Sequence, residues 1–173
     1  MAEHRVIERL LAVLETQLQT IAETRTVDPD VIDTAVDFIR TYADRCHHGK
    51  EEDILFRRLA DKPLDDVLAA AMAALVEDHA HARSMTRSLV EANARYRSGD
   101  AAALNEIESC VRALVEFYPV HIEKEDRHFF KPCLEFFTDA EKDKMLVDFE
   151  EFDRALIHEK YRSIVENLER PDS

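Results

Sequence analysis

Two four-residue spacings stand out for their chemistry: His47 with Glu51, and His121 with Glu125. On a helix, residues four apart share a face with about 5–6 Å between their Cβ atoms, so an imidazole nitrogen and a carboxylate oxygen can reach one cation. A single such pair is common on helices. Here the pair recurs with its neighbours: His47, Glu51, Glu52, Leu55 and Phe56 match His121, Glu125, Asp126, Phe129 and Phe130 at identical spacing, and Glu3-His4 matches Asp78-His79. The chain reads as two helical hairpins, each giving one single histidine and one His-x-x-x-Glu. The candidate metal ligands are therefore His4, His47, Glu51, His79, His121 and Glu125.

Burying four imidazoles and two carboxylates is costly unless a positive charge sits among them. Soft metals would call for thiolates, and one tetrahedral zinc needs only four donors. Six nitrogen and oxygen residues suit two larger shells of iron or manganese, with zinc the remaining choice. Two octahedral ions offer about 12 positions; the set fills about eight and leaves about four for a bridging oxygen, water, dioxygen or peroxide.

Converging these residues requires four helices of matched length. Val6, Ile7, Leu10, Leu11, Leu14, Leu18 and Ile21 repeat at three and four residues and predict an amphipathic helix over about 3–23. Asp28-Pro29 opens a second helix reaching about Ala60, and a third runs from about Leu64 to Tyr96. Asp100 is placed to cap a fourth, with Pro119 as a kink and Pro132 as its end; Thr138 to Glu141 is a capping box opening a fifth. Counted from the turns, the four histidines fall at one level to within a few ångströms at 1.5 Å per residue. The connection between the second and third helices fits less tightly, with a slip of about 6 Å.

The predicted fold is all-α: an antiparallel up-down-up-down four-helix bundle over about 3–135 with an additional C-terminal helix over about 138–168, in one domain spanning 1–173. The added helix would pack on the bundle or on a second copy of the chain, making a homodimer. Within the second helix the repeat favours His47 with Glu51, but Leu55 and Leu59 continue the face of His48 and Glu52, so the apolar stripe drifts. Whether His48 and Glu52 replace or supplement the first pair stays open. His81, His128 and His158 read as solvated polar residues, and Tyr42, Phe117, Tyr118, Phe129 and Phe130 as core around the site. Lys124 and Arg40 are candidates for contacts behind the ligands.

The sequence has only 2 glycines and 5 prolines in 173 residues, a composition of helices. A net charge of −14 argues against nucleic acid as a partner. Glu3, His4 and Arg5 stand where a secretion signal would be apolar, and no run approaches the ~20 apolar residues of a membrane span, so a cytoplasmic protein without a membrane partner is expected. Cys46, Cys110 and Cys133 match neither a disulfide framework nor a zinc pattern and read as buried thiols.

His4 within Glu3-His4-Arg5, the run His47-His48-Gly49-Lys50-Glu51-Glu52-Asp53-Ile54-Leu55-Phe56, Asp78-His79, and His121-Ile122-Glu123-Lys124-Glu125-Asp126 together resemble the hemerythrin-like, His-His-Glu cation-binding domains over about 3–135. The resemblance implies a non-haem di-iron site in a four-helix bundle, with roles in dioxygen binding or sensing, iron handling, or peroxide and nitric oxide chemistry. Two departures from the oxygen-carrying members stand out. Their third helix has a second histidine four residues after the first, where this chain has Arg83. Their fourth has an aspartate five residues after its histidine; Asp126 is present, but Glu125 fits the local pattern better.

Overall fold

The computed structural model describes the backbone of residues 2–169 and the side chains of residues 2–156. The described residues form five helices and no strand: α1 (Ala2–Thr24), α2 (29–59), α3 (Asp66–Arg97), α4 (103–134) and α5 (Asp139–Glu169). Two are not uniform. In α2 the α-helical Pro29–Phe38 gives way to π-helical turns over Ile39–His48 and Glu51–Phe56, and α4 has one such turn at Lys124–Phe129. A π turn bonds i to i+5 and is found mostly at functional sites.

The local chemistry explains most helix ends. Asp28 accepts from the Asp30 amide at 2.9 Å ahead of Pro29, and Asp65 accepts from the Leu68 amide at 2.7 Å to start α3. Gly99, with φ of 101°, closes α3 in the left-handed conformation that glycine adopts without strain. Arg25 takes the same role after α1 at φ 55°, and its side chain is anchored on Asn105 of α4 at 2.7 Å. Thr138 and Glu141 exchange hydrogen bonds as a capping box, 2.8 Å from the Thr138 amide to Glu141 Oε2 and 3.3 Å in return.

One expectation needs correction. Asp100 accepts from the Ala102 amide at 3.0 Å but lies ahead of the helix, whose first residue is Ala103. Helix α4 does end near Pro132, at Leu134, but the proline itself sits inside the helix. The backbone is already distorted at Phe129 (φ −111°), so a fresh turn begins at Phe130 and Pro132 lies in that first turn, where a missing amide breaks no bond.

Side-chain pairs fix which parts of the helices meet. Asn93, near the end of α3, donates to Asp33 near the start of α2 at 2.7 Å, whereas Arg83 reaches back to Asp44 at 2.7 Å and Glu52 at 2.8 Å. Arg25 at the end of α1 meets the start of α4, and His4 at its start meets Asp126 at 3.1 Å. Helix α5 lies against α2 through Arg58–Asp148 and through Lys50–Asp153 at 2.9 Å. Its approach depends on Gly49: a Cβ there would come within 2.9 Å of the Phe152 ring. Of the two alternatives, packing on the bundle or on a second copy, the first is seen within this chain, where α5 lies on α2.

The buried apolar residues form two clusters. One holds Leu14, Ile21, Ile32, Leu89, Ile107 and Leu114; the other holds Leu55, Leu59, Leu75, Phe129, Cys133 and Met145. A layer of buried histidine and glutamate separates them. Cys46 and Cys110 are only half-buried; all three cysteines are free thiols. Among the described residues no helix is long and apolar enough to cross a membrane.

Candidate metal centre

All six expected residues come together in that layer: His4 from α1, His47 and Glu51 from α2, His79 from α3, His121 and Glu125 from α4, each no more than 3 % exposed. A seventh joins them. His48, 1 % exposed, stacks on His79 with ring centroids 3.9 Å apart. The π-helical turns bring two consecutive side chains, His47 and His48, to the same layer.

The two glutamates lie between the histidines. Glu51 Oε1 is 3.6 Å from His47 Nε2, while its Oε2 is 3.4 Å from His79 Nε2. Glu125 Oε2 is 3.1 Å from His4 Nε2, and its Oε1 is 3.2 Å from His121 Nε2 and 3.6 Å from His79 Nε2. Two groups result, each compact enough for one ion: His48, His79 and His121, and His4, His47, Glu51 and Glu125.

Each imidazole turns its Nδ1 outward toward a carboxylate. His4 faces Asp126 at 3.1 Å, His47 faces Glu3 at 2.9 Å, His48 faces Asp44 at 3.5 Å, His79 faces Glu52 at 2.7 Å and His121 faces Asp78 at 3.3 Å. This is the arrangement that orients histidine ligands and raises their basicity. The sequence repeat becomes a structural one: Glu3 is bound by Lys50, and Asp78 by Lys124 at 2.7 Å, so each half carries the same lysine, carboxylate and histidine chain. His48 alone breaks the symmetry, because its counterpart is Ile122.

Inside, the charges are crowded. Burial disfavours a charge on His47, but Glu51, Glu125 and Glu3 overcome it and raise its pKa to about 10; His79 rises to about 9 by the same balance with Glu125 and Glu51. His48, away from the glutamates, is pushed down to about 3 by burial, and His121 is also lowered by burial. Burial and the neighbouring Glu125 raise Glu51, whereas imidazoles of His4, His47 and His79 hold Glu125 well below the ordinary carboxylate range against burial.

The donors fit a cation better than they fit one another. Both oxygens of Glu51 and of Glu125, and the Nε2 atoms of His48, His79 and His121, are buried without a hydrogen bond among the described residues. His4 Nε2 and His47 Nε2 are 3.0 Å apart. That is the spacing of two adjacent ligands about 2.1 Å from one ion. The half-buried Glu3, Cys46 and Asp153 also cluster, but the Lys50 ammonium already sits among them.

Glu52 and Asp126, the alternatives weighed in the sequence, stand behind the histidines as their Nδ1 partners. Lys124 binds Asp78; Arg40 has no such contact among the described residues and faces solvent. His81 and His128 are exposed, and the His158 side chain lies outside the described residues. Tyr118 and Phe129 are buried, whereas Tyr42, Phe117 and Phe130 are half-buried, with Phe117 stacked on His121 at 5.4 Å and Phe130 near His4 at 6.0 Å. A cavity of about 580 Å³ opens on His47 and Glu51, walled by Leu55, Phe130, Met145 and Phe149.

The sequence carries a signal for the wide turns of α2, though not for His48 itself. Ala35, Ile39, Ala43, His47, Glu51, Leu55 and Leu59 are all buried and follow one another in strict steps of four. On a regular α-helix each such step turns the face by about 40°, and six of them would carry it most of the way round. Only a wider turn keeps them on one side.

A helical protein with a buried layer of histidines joined by carboxylates, each histidine oriented from behind, is a cation-binding protein. The family model of the hemerythrin HHE cation binding domain matches residues 1–133, and the chain belongs to that family. No curated protein and no solved structure gives a match.

Proposed function

We propose that the chain is a single-domain, non-haem di-iron protein that binds or senses a small ligand such as dioxygen. The carrying observation is the unequal division of donors. One position is offered His48, His79 and His121 with an oxygen each of Glu51 and Glu125; the other is offered only His4 and His47 with the remaining two oxygens. At about six ligands per ion the second position is the more open, and it lies beside the apolar cavity. Iron suits this nitrogen and oxygen set, with manganese and zinc as alternatives, and when bound would supply redox chemistry and coordination sites for an oxygen-type ligand.

The protein's own residues do the rest. Glu3, Glu52, Asp78 and Asp126 hold His47, His79, His121 and His4 in one tautomer, with Nε2 inward, while Asp44 lies 3.5 Å from His48 Nδ1. Phe130, Met145 and Phe149 keep bulk water from the open side. His48 takes up the place that Arg83 leaves without a histidine, which favours ligand binding over an unsaturated reactive centre.

The meeting points of the helices support an antiparallel up-down-up-down bundle with α5 laid along α2. A cytoplasmic location and the absence of nucleic-acid and membrane partners fit the acidic charge, and a homodimer remains part of the proposal. Anaerobic loading with ferrous iron should reach two per chain, and admitting air should change the optical spectrum reversibly. Fewer than two irons per chain would sink the reading.

The cavity is far larger than a diatomic ligand, and this favours a second reading: an enzyme acting on peroxide, nitric oxide or dioxygen, or an iron storage or repair module. Sustained peroxide consumption that is lost in His121→Ala would put this reading first.

A further inference from the structure

A second cavity of about 240 Å³ lies between α2, α3 and α4, beside His48. It differs from the first in chemistry. Arg40, Arg83 and Arg87 line it against one carboxylate, Asp44, in a protein whose net charge is −14. Arg83 is engaged with Asp44 at 2.7 Å and Glu52 at 2.8 Å. Arg40 and Arg87, both exposed, make no ion pair or hydrogen bond among the described residues.

The inner end carries an independent signal. Tyr118 lines the same cavity, is 1 % exposed, and its hydroxyl has no hydrogen-bond partner among the described residues. A buried polar group left unpaired is rare in folded proteins and calls for an unseen partner. Burial pushes the Tyr118 pKa upward, so at any ordinary pH the group is an O–H and can donate. With Asp44 already taken up by Arg83, the guanidinium forks of Arg40 and Arg87 and a hydroxyl able to donate leave a surplus of donors, which matches an acceptor with several oxygens.

We propose that this cavity binds one small oxyanion or carboxylate, held by Arg40 and Arg87 at its mouth and by the Tyr118 hydroxyl at its floor. The volume is below the usual range of sites for drug-sized molecules, about 300–1,000 Å³, so the ligand has few atoms. Its place is not neutral with respect to the centre. Asp44 also faces His48 Nδ1 at 3.5 Å, so an anion that draws on Arg83 changes how that carboxylate holds His48. The binding itself needs no metal and is independent of the di-iron reading.

Calorimetric titration of the metal-free chain with inorganic phosphate and, separately, with acetate tests the site, with chloride as the control for plain screening. One of the two anions should bind one per chain with a Kd below about 1 mM, and the preferred anion separates a tetrahedral from a planar ligand. Arg40→Gln with Arg87→Gln should weaken binding at least tenfold; both residues are exposed, so the fold is kept. Tyr118→Phe should weaken it severalfold with the helical circular dichroism unchanged. No saturable binding, or equal binding in the double arginine variant, overturns the proposal as an adventitious ion only. Unchanged affinity in Tyr118→Phe overturns the role of the hydroxyl.

Discussion

Glu3 shows how much of this site depends on residues that never touch its centre. Its carboxylate accepts from His47 Nδ1 at 2.9 Å and from the Lys50 ammonium, and these partners lower its pKa to about 2 against the cost of burial. Glu3→Gln keeps the shape but removes the charge that orients His47. Iron affinity should fall by about 10–100-fold, measured by competition with a chelator, while the fold stays intact. An unchanged affinity would show that His47 needs no such support. At this scale the sequence was largely readable, because a four-residue spacing repeated 74 positions later, from His47 to His121, cannot arise from helix periodicity alone. His48 was not readable in the same way: its repeat partner is Ile122, so symmetry argued against it, and only the π-helical turns of α2 explain its arrival.

At the scale of the elements, α5 was the least legible. Its capping box at Thr138 to Glu141 announces a helix but not the surface it covers, since that depends on a single missing side chain at Gly49. Glycine inside a helix costs about 0.5–1 kcal/mol relative to alanine, and here the close seat of Phe152 offsets it. Gly49→Leu should push Phe152 away and loosen α5, raising amide hydrogen exchange over 145–156 while α3 and α4 stay protected. The start of α5 has its own control. Lys62 and the Thr138 amide and hydroxyl hold Glu141 down to about 2. A carboxyl lowered on folding stabilises above its ordinary pKa, near 4.5, and that contribution disappears as pH falls from there toward 2. Exchange of the first α5 amides should therefore rise over that interval, and Glu141→Gln should abolish the pH dependence.

Across the whole molecule, the buried layer between the two apolar clusters must be kept neutral by cations of some kind. In the metal-free protein they are protons on His47 and His79, raised to about 10 and about 9. A histidine whose pKa is raised on folding stabilises fully below its ordinary value of 6.5 and loses that contribution as pH climbs through the folded value. The metal-free protein should accordingly lose thermal stability from about pH 6.5 to pH 10. Metal ions would replace those protons, because a ligating histidine must be neutral. Loading at pH 7.5 in weak buffer should then release protons, and the loaded protein should melt higher and keep its Tm over the same alkaline range. Stripping the metal with a chelator should restore the pH-dependent melting curve. If the loaded and stripped proteins melted alike at every pH, the layer would be balanced without a metal, and the centre would be a polar core instead of a binding site.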